Sequence, residues 1–424
     1  MIGEVLELRK LLRNQQLCRA DLEALRVRKL RAVIRNAYWN VPYYGSLFRS
    51  AGLSPEDIRT VEDLKYLPIV RKENLRHSGL QGVVAKGVGL SSCVTYQTSG
   101  STGKPFTVYC TQREARTRRL LEFRALLAMG YGPRDRLAVF GPHRPRRTRL
   151  YQHLGLFRSE NISIYLPVEE QIGHLQRIRP TVLWTYPTQL RTLLHTLGYR
   201  LTQVAHPRAL ITSAEVFDQV LQERLRADLD LEMFNFYGAM EIGRIAWECP
   251  AHEGLHLNAD HVILECLNGD QQTGWEKPGV VVLTSLTAFA MPFIRYCLGD
   301  ICMLIEKKCS CGSSFPLISP PCGREDDIIH LPSGKVLSSL GLQYILRSLD
   351  EIEQFRLIQE SSKDLVLQLV LRRNPRTELP LYLQSRFAAY LCEPVKVDIQ
   401  IIDRIREDGL KYRAFVSKLS QISI

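Results

Sequence analysis

The chain has 424 residues, 45% of them hydrophobic and 24% charged, values ordinary for a soluble globular protein with room for two or three domains. Its formal net charge is +12, from 56 basic and 44 acidic residues. That balance suits anionic ligands, nucleic acid or a membrane surface and alone chooses none of them, while no apolar run approaches the roughly 18 residues of a membrane span. The 11 cysteines are odd in number, and their spacing is poor for a disulfide framework, so a reducing, cytoplasmic setting is expected.

Residues 1–40 predict helices, with Leu22, Leu25, Leu30, Val33 and Ile34 at helical spacing. The opening stretch mixes acids into its apolar pattern, which predicts an amphipathic helix and no signal peptide. A mixed segment follows around Val41-Pro42-Tyr43-Tyr44-Gly45. Residues 92–97 and 106–109 alternate as strands do and predict an antiparallel pair. Strands are then expected at 136–141, 162–166, 182–186 and 209–213. Helices are expected at 169–178, 187–197 and 216–228. That alternation predicts an α/β layered core.

From about residue 255 the texture changes to short strands, at 262–266, 280–286, 293–296 and 301–305. They predict an antiparallel, barrel-like section. Pro316 to Gly323 is rich in proline and glycine and reads as a hinge. Beyond it come a strand near Ile328, a helix at 340–349, strands at 355–359 and 365–372, a helix at 380–391 and a strand at 395–402. The expected fold is α/β, with a large domain over 1–322 and a small C-terminal α+β domain over 323–424.

The loop between the first two strands reads Thr98-Ser99-Gly100-Ser101-Thr102-Gly103-Lys104-Pro105. Its glycines let backbone approach a ligand and aim N–H groups at an anion, its hydroxyls add donors, and Lys104 adds charge. It is a phosphate-binding candidate but not a Walker loop. Thr98 stands where the first Walker glycine belongs, and Pro105 follows the lysine. The basic run Arg144 to Arg149 lacks interleaved aromatics and reads as a solvated loop, with contact to a phosphorylated co-substrate as the sharper alternative.

Three further stretches carry chemistry. In Phe234 to Gly243, Tyr237-Gly238 ends an apolar run and Glu241 follows, a carboxylate able to hold Mg²⁺ beside phosphates. In Phe293 to Ile301, Asp300 follows Gly299 at a turn and could accept both hydroxyls of a ribose. In Gly323 to Asp327, Arg324 is a candidate for phosphate or ribose, and Asp326 a candidate hinge acid. Each alone is read more simply as a solvated charge or a turn cap. A fourth set is metal-like. Cys309-Ser310-Cys311-Gly312 is a short knuckle, and Cys249 with His252 and His256 lies upstream. Three thiolates and one imidazole complete a tetrahedral zinc set.

Taken in order, TSGSTGKP, YGAME, RYCLGD and GRED resemble the adenylate-forming enzymes, and within them the phenylacetate–CoA ligase branch with its relatives in capsule and exopolysaccharide clusters. Residues 41–75 are similar to that branch's N-terminal pattern, so the resemblance spans nearly the whole chain. It implies ATP, Mg²⁺ and coenzyme A as co-substrates and cofactor, a small carboxylic acid as substrate, and no nucleic acid. By motif position, Thr98, Ser99, Gly100, Ser101, Thr102, Gly103 and Lys104 would hold the ATP β- and γ-phosphates. Tyr237 and Gly238 would line the adenine site, Glu241 would coordinate Mg²⁺, Asp300 would bind ribose, and Arg324 would approach ribose or phosphate. Asp326 would be the pivot of the small domain. Lys411 would meet the acyl carboxylate and α-phosphate, and Lys72 would approach the phosphates.

Ser213, Ala214 and Glu215 would line the acid and nucleotide pocket, near Tyr186-Pro187 and Tyr237-Gly238-Ala239. The resemblance favours His256 over His252, so that Cys249, His256, Cys309 and Cys311 would bind a structural zinc. A second copy of the chain is a candidate partner. The sequence departs from the family at Cys297-Leu298, at Leu410 before Lys411, and at Leu331-Pro332-Ser333-Gly334. The expected reaction is ATP-dependent acyl-adenylate formation, then transfer to a thiol, most simply coenzyme A. Transfer to an amine, a hydroxyl or a carrier-protein thiol, or loss of turnover with nucleotide binding kept, are the alternatives.

Overall fold

The computed structural model describes residues 2–98, 106–141, 150–197, 201–214, 222, 225–226, 231–325, 328–347, 349, 351–371, 378–405 and 414–419. Within the hairpin loop only Thr98 is described, so Ser99 to Pro105 lie outside the described residues. The same holds for Arg144 to Arg149, Glu215, Asp326 and Lys411.

Helices Ile2–Asn14 and Arg19–Asn40 open the chain. Leu22, Leu25, Leu30, Val33 and Ile34 are all buried, as their spacing predicts. The helix Gln112–Ala128 begins with a reciprocal cap. Glu114 N–H donates to Thr111 Oγ1 at 3.2 Å, and the Thr111 N–H returns to Glu114 Oε2 at 2.6 Å.

Strands Arg136–Gly141, Arg158–Ser163, Val182–Thr185, Ala209–Ser213 and Glu232–Ala239 pair in parallel. Both faces of this layer are covered. Leu183 and Leu210 pack with the helices Val168–Ile178 and Pro187–Thr196 in one cluster. Trp184, Ile211 and Phe236 belong to the other, larger cluster.

At Glu232–Ala239 the sheet changes direction. It pairs antiparallel with Gly243–Glu248, which pairs in turn with Leu255–Leu257. The hydrogen-bonded path runs on through Leu317–Ile318 to Tyr296–Ile305, Pro278–Ser285 and Val262–Asn268. The antiparallel section is thus one continuous sheet with the parallel layer.

Two expectations need correction. Residues 293–296 are not a strand of their own. Arg295 has φ 44°, which breaks extended backbone, and one strand runs Tyr296–Ile305 instead. Pro316 to Gly323 is not a free hinge either. The Ser319 N–H donates to Met303 O and that of Cys322 to Ile301 O, each at 2.9 Å, so the segment is stitched along that strand.

The C-terminal part has its own core, around Leu342, Leu346, Leu357, Leu367, Leu383 and Phe387. Its four strands among the described residues run in the order Lys396–Ile401, Asp364–Leu371, Ile352–Gln359, Phe415–Ser417. Helices Leu340–Arg347 and Leu379–Leu391 pack on them. This is the expected α/β architecture with a smaller α+β part. No helix among the described residues is long and apolar enough to cross a membrane.

Candidate active site

The hairpin Val94–Gln97 and Thr107–Cys110 is antiparallel, with Gln97 opposite Thr107. Thr98 closes its neck. Its N–H donates to Phe106 O at 3.0 Å, and its Oγ1 accepts from the Phe106 N–H at 3.2 Å. The loop therefore starts from a rigid base, as a ligand-gripping loop requires.

Glu241 sits in the turn between Glu232–Ala239 and Gly243–Glu248, 4% exposed. Its Oε1 lies 2.9 Å from Lys72 Nζ and accepts from the Tyr296 hydroxyl at 3.0 Å. The Lys72 ammonium also lies 6.0 Å from the centre of the Phe106 ring. Lys72, Glu241 and the hairpin neck thus meet at one place. Arg118 ties the same parts from beneath. It donates to the carbonyls of Met240 and Glu241 and stacks on Tyr96, 4.9 Å from the ring centre.

Lys72 opens the short helix Lys72–His77, and its approach is fixed by backbone. The Val70 N–H donates to Arg295 O and the Cys297 N–H to Val70 O, both at 2.8 Å. Arg295 is itself buried and bidentate to Glu265, at 3.0 and 3.2 Å. Its remaining donors take the carbonyls of Lys65 and Leu67. A buried ion pair thereby holds the segment that presents Lys72.

Asp300 lies on the same strand as Tyr296. The Tyr237 hydroxyl donates to its Oδ2 at 2.7 Å, and Arg324 Nε stands 3.7 Å from its Oδ1. Arg324 is opposite Asp300 in the register and donates to Leu298 O at 2.9 Å. Gly299, at φ 77°, lies within the strand Tyr296–Ile305 where its pairing with Pro278–Ser285 shifts register, and Asp300 follows it. Burial, then the neighbouring Asp300, pushes the Tyr237 phenol well above its usual pKa. Burial, then Glu241, does the same to Tyr296. Both hydroxyls stay protonated and donate.

Ser213 ends its strand with Oγ accepting from Trp184 Nε1 at 2.9 Å, and Ala214 follows in the left-handed region at φ 70°. A non-glycine residue held there is strained, a feature that concentrates at ligand sites.

Cys249, His256, Cys309 and Cys311 converge with all four ligand atoms within 4.8 Å of one another. Cys249 and Cys309 sulfurs are 3.5 Å apart, and Cys311 Sγ is 3.3 Å from His256 Nε2. Zn–S bonds of about 2.3 Å would put tetrahedral ligands roughly 3.8 Å apart, so the set fits zinc. His252 stands outside it, with Nδ1 2.9 Å from Glu248 Oε1.

No family model matches the chain. It is 30% identical over 338 residues to a phenylacetate–coenzyme A ligase of Thermus thermophilus, a match covering 74% of this chain and 73% of the relative. The chain belongs to the phenylacetate–coenzyme A ligase family. The Escherichia coli member is 27% identical over 331 residues, covering 75% of each chain. In fold, the chain resembles a 2-hydroxyisobutyryl-CoA ligase in its postadenylation state, with TM-score 0.80 and 18% identity over 96% of this chain and 92% of that one. A benzoate CoA ligase from Burkholderia xenovorans matches at TM-score 0.55 and 15% identity, over 76% of this chain and 68% of that one. Membership of this family makes the chain an AMP-forming, adenylate-forming ligase.

Tyr296, Arg118, Arg71 and Arg244 carry interactions here that sequence reasoning did not single out. Their partners lie far off in sequence, and no local pattern marks them.

Proposed function

We propose that this protein uses ATP to activate a carboxylic acid and passes the acyl group to the thiol of coenzyme A. The observation that carries the reading is the meeting of Lys72, Glu241 and the hairpin neck, with Tyr237, Asp300 and Arg324 grouped further along the strand that begins at Tyr296. One group suits a triphosphate and the other a ribose.

In the first step a carboxylate oxygen attacks the α-phosphorus, and the bond to the bridging oxygen breaks, releasing pyrophosphate. Lys72, with Lys104 and the hydroxyls of the hairpin loop, would hold the phosphate oxygens. Glu241 would hold Mg²⁺, which when bound supplies positive charge to the phosphoryl oxygens. Lys411 would neutralise the α-phosphate as it forms. Asp300 would fix the ribose, with Tyr237 holding the acid and lining the adenine side. Positioning and electrostatics do the work, and no protein nucleophile is needed. In the second step the thiol attacks the acyl carbonyl and AMP leaves.

The rotation that exchanges the two steps would pivot just after Arg324, at Asp326, with domains over 1–322 and 323–424. Sheet pairing of Gly323–Arg324 with the large sheet supports a pivot at that end of the segment. The four-ligand cluster would bind a structural zinc. A reducing, cytoplasmic setting agrees with 11 free cysteines.

The test is pyrophosphate release by the purified chain with ATP and Mg²⁺, over a panel of aryl and aliphatic acids, followed by thioester detection with coenzyme A. Acid-dependent release is the expected result. ATP hydrolysis that ignores the acid would overturn the reading.

A further inference from the structure

The turn that carries Glu241 is held through its carbonyls. It closes with the Ile242 N–H donating to Ala239 O at 3.1 Å, and Gly243 follows in the left-handed region at φ 89°. A Cβ at Gly243 would stand 3.3 Å from Arg118 Cγ, so the arginine lies directly against the turn. Carbonyls at a turn tip have no ladder partner of their own. Here three in succession are taken by side chains. Arg118 donates through Nη1 to Met240 O at 2.8 Å and through Nη2 to Glu241 O at 2.5 Å. His261 Nε2 lies 3.1 Å from Ile242 O. The first two carbonyls belong to the peptide planes on either side of the Glu241 Cα, and the third to the next plane. Together they fix the backbone from which the carboxylate projects.

His261 is mounted to do this. It is buried, as is Ile242, and its backbone is tied on both sides. The His261 N–H donates to Asn258 O at 2.7 Å, and the Leu286 N–H donates to His261 O at 2.8 Å. Nδ1 lies 2.5 Å from Thr287 Oγ1. A carbonyl only accepts, so the ring proton belongs on Nε2, and the Thr287 hydroxyl donates to Nδ1. Thr287 thereby selects the tautomer that points a donor at Ile242 O. Burial pushes the ring's pKa down to about 3, although the bond to Ile242 raises it, so the ring is neutral at working pH and keeps that one donor. A small cavity lies beside these contacts, lined in part by Arg118, Ile242, His261 and Thr287. Packing alone therefore does not hold the turn, and a carbonyl that lost its donor has room to swing.

We infer that His261 is a positioning residue for the reaction: kept in one tautomer by Thr287, it completes with Arg118 a bracket on the turn that sets the direction of the Glu241 carboxylate. This rests on the reading of Glu241 as the Mg²⁺ ligand and names what aims it. His261 acts through the backbone and not on the reacting atoms. Small displacements of a group that must meet a metal and a phosphate are costly to rate, so the bracket matters beyond its share of stability.

Calorimetric titration of ATP into the full chain, with Mg²⁺ and again with a chelator, reads the gain in affinity that Mg²⁺ brings. Glu241→Gln is expected to remove most of that gain. His261→Leu, which leaves Ile242 O without its donor, should reduce it about tenfold, the size of loss that follows removal of a partner behind a metal ligand. ATP affinity with the chelator should stay as in the unmodified protein. His261→Gln, whose amide keeps a donor near the Nε2 position, should retain most of the gain, and Thr287→Val, which frees the tautomer, should lose part of it. In acid-dependent pyrophosphate release, His261→Leu should need more Mg²⁺ for half-maximal rate. The double variant Glu241→Gln with His261→Leu should be no slower than Glu241→Gln alone, because both act on one contact. A residue that only supports the fold would lower the maximal rate with the Mg²⁺ curve unmoved and slow the double variant further, and that result overturns the inference. If His261→Leu does not fold, Thr287→Val and His261→Gln decide, and a Thr287→Val gain equal to that of the unmodified protein overturns it. A gain that Glu241→Gln leaves intact overturns the metal reading beneath. A gain that Glu241→Gln removes and His261→Leu spares overturns this inference alone.

Discussion

Two acids of the site are each gripped by a tyrosine, Glu241 by Tyr296 and Asp300 by Tyr237. Both phenols are driven upward in pKa and remain donors through the working range, so each acid stays oriented. Removing the Tyr296 hydroxyl leaves the Glu241 carboxylate, among the described residues, with Lys72. Tyr296→Phe is expected to lower kcat/KM for ATP about tenfold, the worth of one hydrogen bond to a charged group. Glu241→Gln removes the charge itself and should cost on the order of 10²-fold, with a higher Mg²⁺ concentration needed for half-maximal rate. Initial rates of acid-dependent pyrophosphate release against Mg²⁺ check both, and a Glu241→Gln enzyme with an unmodified Mg²⁺ curve would remove Glu241 from the site. Glu241 and Asp300 were legible in the sequence because a glycine marks each, Glu241 in a turn after Gly238 and Asp300 directly after Gly299 within a strand. Tyr296 was not, since it lies 55 residues from the carboxylate it orients. Arg118 was hidden for the same reason, being one of several arginines on a single helix.

At the scale of elements, the parallel strands could be read because each is a short apolar run between helical patterns. The segment before Tyr296 misled because its apolar residues suit a strand, while the buried Arg295–Glu265 pair bends the chain there to hold residues 65–70. Polar pins of this kind also fasten the helices. Arg124 and Asp260, both fully buried, pair at 2.8 Å, and Asn14 donates to Asp260 at 2.7 Å. Burial alone would raise the Asp260 pKa, but Arg124, Lys29 and Asn14 outweigh it and hold the carboxyl well below the usual range. Its contribution to stability is therefore full above the ordinary aspartate range near pH 4 and is lost as pH falls below that. Asp260→Asn leaves the buried Arg124 unpaired and should cost about 3–5 kcal/mol. Chemical denaturation at pH 7 and pH 3 measures it, and the two proteins should differ less at the lower pH. With zinc bound, the Cys249, His256, Cys309 and Cys311 cluster would staple the segment after Gly243–Glu248 to the segment after Tyr296–Ile305. Chelation should release close to one zinc per chain and lower the melting temperature. A purified protein free of zinc would sink that assignment.

Across the whole molecule, the site is coupled to the start of the C-terminal part through one ion pair. Arg71, the residue before Lys72, is bidentate to Glu325 at 2.9 and 3.2 Å. Glu325 follows Arg324 directly, so the pair joins the helix that opens with Lys72 to the proposed pivot. The side chains are 50% and 31% exposed, and a pair that open contributes little to global stability. Its value lies in placing Lys72. When the pair is made, Lys72 and the end of the large sheet are held together. Both partners precede Asp326, so rotation about the proposed pivot would leave the pair in place. Arg71→Ala is therefore expected to slow acid-dependent adenylation by about two- to fivefold, an effect of the size such a pair supplies. Thioester formation from preformed acyl-adenylate should be little changed. Stopped assays of the two half-reactions, with a melting curve that stays unchanged, check this. Equal slowing of both would mean that Arg71 only supports the Lys72 helix. Glu325→Gln should reproduce the Arg71→Ala pattern, and the double variant should be no worse than either alone, because both substitutions break the same contact.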